Sequence, residues 1–111
     1  MAKGIYVVES RPASPDVDAE FNRWYKEIHL PEMIAIDGIR SARRFAPGDE
    51  GGPYIAIYEL EGDELTAIVE RMVAAARSGA LTLSKLQQLD PPPATRLLEL
   101  TTEYPAVDGH Q

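Results

Sequence analysis

His29 is the residue of this chain best suited to moving a proton, because imidazole is the side chain that titrates near neutrality. It closes the run Phe21-Asn22-Arg23-Trp24-Tyr25-Lys26-Glu27-Ile28-His29, in which Phe21, Trp24, Tyr25 and Ile28 fall at i, i+3, i+4 and i+7. Those four share the face that a helix buries, and His29 lies one turn beyond Tyr25 on its edge. Tyr25 and Asn22, four and seven residues earlier, are placed to hydrogen-bond the ring or a substrate oxygen. His29, Tyr25 and Asn22 are therefore the candidate catalytic set, with the histidine as general acid/base. Pro31 disfavours helical geometry at Leu30 and lacks a backbone donor, so the helix is predicted to kink or end just after His29. A helix C-terminus favours the imidazolium, and the plain structural alternative is a histidine that stabilises this helix end by ~0.3–1 kcal/mol. Glu32 either orients the imidazole or sits solvated after the kink.

Substrate contacts are expected from Trp24, Tyr6, Tyr54, Tyr58 and Arg43. The three tyrosines alternate along strand-like runs, and a face of phenol groups suits a flat aromatic ligand or, equally, a subunit interface. Trp24 serves as a core or dimer anchor or as a ligand contact. Arg43 binds an enolate or carboxylate if its face is the inner one, and the register of its strand is open at this level. A metal site is not expected: His29 and His110 are the two histidines, and no spacing resembles a closed ligand set. Gly48, Gly51 and Gly52 lie between two strands, which is not the phosphate-cradling arrangement, and Ser41 and Ser84 have no paired histidine signature. No cofactor is expected.

The elements that must position these residues fit one domain over residues 1–105, with a polar tail expected to fray over 106–111. The 111 residues are 44% hydrophobic and 26% charged, a globular balance, and carry no cysteine, which excludes disulfides and thiolate chemistry. A net charge of -7 with scattered basic residues argues against nucleic acid, and no run approaches the ~20 apolar residues of a membrane span. With no signal-like N-terminal core, the chain reads as a cytoplasmic protein.

Ile5 to Glu9 reads as a strand, Ser14-Pro15-Asp16 as the start of the first helix, and Ile39 to Phe45 and Tyr54 to Leu60 as an antiparallel pair. Leu65, Ile68, Val69, Met72, Val73 and Ala76 keep a helical pattern that Ser78-Gly79 ends. A long covering loop with one helical turn follows from Ala80 to Ala94, then a last strand from Arg96 to Thr102. The order β-α-β-β-α-β predicts an α+β, ferredoxin-like domain: a four-stranded antiparallel sheet with two helices on one face. In the first and third strands both faces are apolar, so the second face needs a cover, and a second copy of the chain is the simplest one.

Phe21-Asn22-Arg23-Trp24-Tyr25, His29-Leu30-Pro31-Glu32-Met33, Gly38-Ile39-Arg40-Ser41-Ala42-Arg43-Arg44-Phe45 and Tyr54-Ile55-Ala56-Ile57-Tyr58-Glu59-Leu60 together resemble the dimeric α/β-barrel superfamily, nearest its EthD-like members. The resemblance runs from about Ile5 to Thr102, and the helix ending in His29-Leu30-Pro31-Glu32 is its most specific part. It implies a homodimer whose sheets meet and enclose a cavity in each subunit, with the histidine before the proline as the residue for chemistry. It also implies a small hydrophobic or aromatic ligand. Similar proteins include cofactor-independent monooxygenases, muconolactone-type isomerases, polyketide cyclases, anthrone-type dehydratases or decarboxylases, and members without known activity. The leading expectation is a cofactor-independent lyase or isomerase acting by acid/base chemistry (dehydration, decarboxylation or cyclisation) on an aromatic or polyketide-like molecule. The alternatives are a cofactor-independent monooxygenase and a non-catalytic, small-molecule-binding or stress-related dimer.

Overall fold

The computed structural model of the chain describes residues 1–105, so the tail expected over 106–111, with His110, lies outside the described residues. Four strands, β1 (Ala2–Ser10), β2 (Ile39–Phe45), β3 (Tyr54–Gly62) and β4 (Ala94–Glu99), form one sheet in the order β2-β3-β1-β4. Every pairing is antiparallel. The fold is the α+β, ferredoxin-like βαββαβ arrangement. The last strand starts two residues earlier than expected, and its pairing with β1 continues just past its end, where the Leu100 amide donates to the Lys3 carbonyl at 2.8 Å.

The first helical layer runs without a break from a 3-10 turn (Pro15–Val17) through α1 (Asp18–Trp24), a π turn (Tyr25–His29) and α2 (Leu30–Ile34). Of the expected kink or end after His29, the end does not occur, and the irregularity is a π turn just before Pro31. Pro31 is accommodated in the first turn of α2, where a missing amide hydrogen costs least, and the turn before it is widened so that the Leu30 amide bonds the Tyr25 carbonyl, five residues back. The extra residue also shifts the phase of the apolar stripe. Phe21, Trp24 and Tyr25 are buried as expected, but Ile28 turns outward and His29 swings in beside Tyr25.

The second layer is α3 (Leu65–Ser78), which buries Leu65, Ile68 and Met72 and ends at Gly79 in the left-handed conformation, φ 86°. Gly38, φ 103°, opens β2 where a Cβ would lie 2.6 Å from Ile68 Cγ1, so both backbone conformation and space require glycine there. Phe21, Tyr25, Tyr58, Leu60 and Ile68 are the largest fully buried side chains, all between helices and sheet. Residues 80–93 cover the helical side as a strap with no helix and a single turn at Lys85-Leu86. Leu81 is buried, the Thr82 amide and hydroxyl both donate to Glu32 at 2.7 Å, and the far end bonds Arg11 and Ala13 through Gln88 and Leu86.

One irregularity decides which side chains reach the interior. Ile39 pairs with Leu60 but Ser41 pairs with Glu59, so Arg40 is an extra residue in β2. Past that bulge the alternation is inverted: Ala42 and Arg44 stand opposite Tyr58 and Ala56 on the helix side, and Arg43 stands opposite Ile57 on the outer side.

Candidate functional site

Tyr25 is the hub of a polar and aromatic cluster between the first helical layer and the β1–β3–β2 part of the sheet. Its ring meets Phe21, Trp24 and His29 edge-on, with centroids 5.4, 5.1 and 4.9 Å away. The His29 ring also stacks on Trp24 at 4.7 Å, with 22° between planes. From the sheet, Ser10 donates to the Tyr25 hydroxyl over 3.4 Å, and the Arg44 guanidinium carbon lies 4.1 Å from the centre of the Tyr25 ring. The same guanidinium lies 4.3 Å from the Tyr54 ring and 5.0 Å from Phe21.

A hydrogen-bonded chain closes one side of the cluster. Asp18 takes the Tyr54 hydroxyl at 2.7 Å and the Asn22 amide at 3.3 Å; the Asn22 oxygen in turn accepts from Arg44 Nη1 at 2.6 Å. Asn22 Nδ2 also reaches the Tyr54 hydroxyl at 3.1 Å. Each of these side chains holds the next in one rotamer.

The other side is unsatisfied. Among the described residues, the buried side-chain polar atoms without a hydrogen-bond partner are Trp24 Nε1, His29 Nδ1, Tyr58 Oη, and Arg44 Nε and Nη2. All belong to residues of this one cluster. Native interiors pair nearly every buried polar group with protein, water or ligand, so these five atoms are the ones of the cluster open to a polar partner.

The electrostatics follow from that burial. Desolvation holds the His29 imidazole down at about 4, with Arg44 pushing the same way and Glu32 opposing it. The ring is neutral at pH 7, which is the opposite of the imidazolium expected at a helix C-terminus, because the ring is desolvated within a helical layer that continues past it. Glu32 does not orient the imidazole through a hydrogen bond; it holds Thr82 of the strap, and those two bonds keep its carboxyl below the usual range. Burial raises the Tyr58 phenol, with Tyr25 adding to the effect. Desolvation lowers Arg44.

The structure brings His29, Tyr25, Asn22, Trp24 and Tyr54 together, with Tyr58 beside them and Tyr6 paired with Tyr58 on the same helix-facing side. It does not bring Arg43, which is exposed on the outer side with its guanidinium carbon 5.9 Å from the Phe45 ring. Arg44 occupies the interior place instead, and Asp18 is the second residue that sequence reasoning passed over. The signal for Arg44 was the bulge at Arg40, which strand patterning does not reveal.

The fold has a solved relative. The structure of Rv0793 from Mycobacterium tuberculosis matches with a TM-score of 0.56 over 91% of this chain and 98% of that one, at 16% identity. At that identity the likeness is one of fold. No protein-family model matches the sequence, and no curated protein does.

On the outer side, Ile5 and Val7 of β1, Ile55 and Ile57 of β3 and Leu98 of β4 form a half-exposed apolar face. A groove of about 610 Å³ opens at one end of it, lined by Glu59, Glu61, Glu99, Glu103, Lys3 and Arg40 among others. It is separate from the His29 cluster, and its Arg40–Glu61 pair, 3.5 Å apart, neutralises part of its charge. Among the described residues no three His, Cys, Asp or Glu side chains are grouped to hold a metal ion, and no helix is long and apolar enough to cross a membrane.

Proposed function

We propose that the protein is a cofactor-independent enzyme of the EthD-like kind, a lyase or isomerase in which His29 takes a proton from carbon next to a carbonyl of a small aromatic or polyketide-like substrate. The observation that carries this reading is the His29 ring, packed against Trp24 and Tyr25 with a buried and unpartnered Nδ1. A neutral imidazole with its proton on Nε2 has its lone pair on Nδ1, so it acts as base without first losing a proton. The unpartnered Tyr58 hydroxyl stays protonated to high pH and supplies a donor for the oxyanion that develops on the carbonyl. Tyr25 positions the imidazole through its ring, and Asn22 positions Arg44. A base this weak favours an acidic carbon, as in 1,3-dicarbonyl and aryl ketone units. The same carbanion would react with oxygen in the monooxygenase alternative, which uses the same first step.

The outer apolar face supports a homodimer in this reading, since packing against a second copy would remove Ile5, Val7, Ile55, Ile57 and Leu98 from water. The face is common to the superfamily reading and to a dimer that only holds a ligand.

Deuterium exchange at the carbon next to the carbonyl of 1-tetralone, followed by proton NMR in D2O, tests the proton transfer without knowledge of the natural substrate. Wild-type protein is expected to accelerate exchange by about 10²–10⁴ over buffer, and His29→Ala to return it to the buffer rate. An undiminished rate in His29→Ala removes this histidine from the chemistry. No acceleration by wild-type protein would favour the non-catalytic ligand-binding dimer.

A further inference from the structure

We infer that Arg44 is the anchor of a binding subsite for a planar, doubly oxygenated anion, a carboxylate or the enolate of a 1,3-dicarbonyl, carried on an aromatic or other flat apolar body. The inference adds a ligand class to the site proposed above, and it does not depend on any reaction there.

The geometry of the guanidinium carries it. In arginine, Nε–H and one N–H of Nη2 lie on a common edge, two parallel donors spaced to meet the two oxygens of one carboxylate. In Arg44 the Nη1 end is engaged by the Asn22 oxygen at 2.6 Å, while Nε and Nη2 are both buried and both unpartnered. The side-on edge as a whole is therefore free, and it is fixed in direction by Asn22. Tyr25, Tyr54 and Phe21 surround the guanidinium with aromatic surface, which excludes water and would flank a flat ligand body.

Charge points the same way. The ion pairs among the described residues are Arg40 with Glu61 and Arg71 with Asp37, and Arg44 takes part in neither. Its acid is Asp18, held one side chain away through Asn22 and also engaged by Tyr54. A cation with desolvated donors and no direct counter-ion is costly to bury, and an anion that brings two acceptors relieves both the charge and the hydrogen-bond deficit. A neutral amide of the same shape would put a donor against a donor. The edge is closed to solvent in the free chain, so a ligand reaches it by moving a neighbouring side chain, and association slower than diffusion is expected.

Isothermal titration with 1-naphthoate and with 1-naphthamide, a matched planar acid and neutral amide, tests this. Wild-type protein is expected to bind the carboxylate at least tenfold more tightly. Arg44→Lys, which keeps the charge but loses the fork, is expected to abolish most of that preference, and Arg43→Lys, on the outer face, to leave it intact. Circular dichroism checks that each variant is folded, and the acid/amide comparison in wild-type protein needs no variant. A second readout is the His29 ring titration by NMR: naphthoate is expected to move it up from about 4, because Arg44 is one of the groups holding it down, and naphthamide to leave it. Equal binding of acid and amide, binding of neither at millimolar concentration, or a carboxylate preference that survives in Arg44→Lys each overturns the inference. None of these outcomes touches the proton-transfer proposal, which is read by deuterium exchange alone.

Discussion

Arg43 and Arg44 are neighbours on one strand and live in different solvents. Arg43 lies in water on the outer face, with Phe45 beside it; Arg44 lies against Tyr25, Tyr54 and Phe21, with two of its three nitrogens sealed from solvent and unpaired. The contrast extends to the whole sheet. The outer face is an apolar strip edged by charged side chains in water, and the inner face has a polar cluster set into its core. A sheet buries apolar area on either side with similar gain, but only the inner side fixes donors in a low-dielectric setting where they act strongly. The proposed partner therefore belongs on the outer face, and the proposed chemistry on the inner one.

The largest expected break of this contrast is at Phe21, fully buried in the aromatic surround of Arg44. Phe21→Ala is expected to cost about 3–5 kcal/mol in urea unfolding, against under about 1 kcal/mol for Phe45→Ala on the other face. Similar costs at the two sites would mean that the inner cluster is not a packed one.

How much of this was legible follows the same line. The element order, the phase of α3 and the start of the first helix came from periodicity, Ser14-Pro15 and Gly79, which act locally. That the tyrosines and His29 lie on the inner side was readable because their spacing is regular. Two features escaped because each is a single-residue insertion with no compositional mark. The bulge at Arg40 inverted the faces of β2 and exchanged Arg43 for Arg44, and the π turn let the helix pass Pro31 and drew His29 inward. Both sit beside the candidate site, where departures from regular geometry are most often retained.

Acid is the next lever, and it acts on the inner side. His29 is held at about 4 when folded and titrates near 6.5 when unfolded, so the unfolded chain binds more protons between those values. Stability is then full above pH 6.5 and falls as pH drops from 6.5 to 4, by roughly 3 kcal/mol at most. Glu32, whose folded carboxyl is also depressed, adds loss in the same direction below its ordinary range as its hold on Thr82 weakens. Unfolding curves at pH 7 and pH 4.5 measure the drop, and His29→Phe is expected to shrink it. A drop as large in His29→Phe would assign the acid sensitivity elsewhere.

The outer face has its own test. Ile57→Glu puts a carboxylate at the centre of the apolar strip, and sedimentation is expected to show a dimer weakened ten- to hundredfold, about 1.4–2.7 kcal/mol in association. The monomer's fold should survive, since Ile57 is only half-buried there. A wild-type protein that sediments as a monomer at high concentration would leave the outer face without its proposed partner.

The smallest effect separates two tyrosines that both face inward. Tyr54 gives its hydroxyl hydrogen to Asp18 at 2.7 Å, so Tyr54→Phe leaves a half-buried carboxylate short of a donor and is expected to cost about 1–2 kcal/mol. The Tyr58 hydroxyl has no partner in full hydrogen-bonding geometry and only a weak contact with the Tyr25 hydroxyl, which keeps Ser10, so Tyr58→Phe removes a desolvated polar atom at little cost to its neighbours. It is expected to be neutral or to stabilise the fold by up to about 1 kcal/mol, and at the same time to slow ketone exchange by tenfold or more while His29 still titrates near 4. Stability and activity moving in opposite directions at one hydroxyl is the signature of a group kept unpaired for a substrate. If Tyr58→Phe lowers both together, the hydroxyl is a structural one, and the developing oxyanion must find its donor at Arg44.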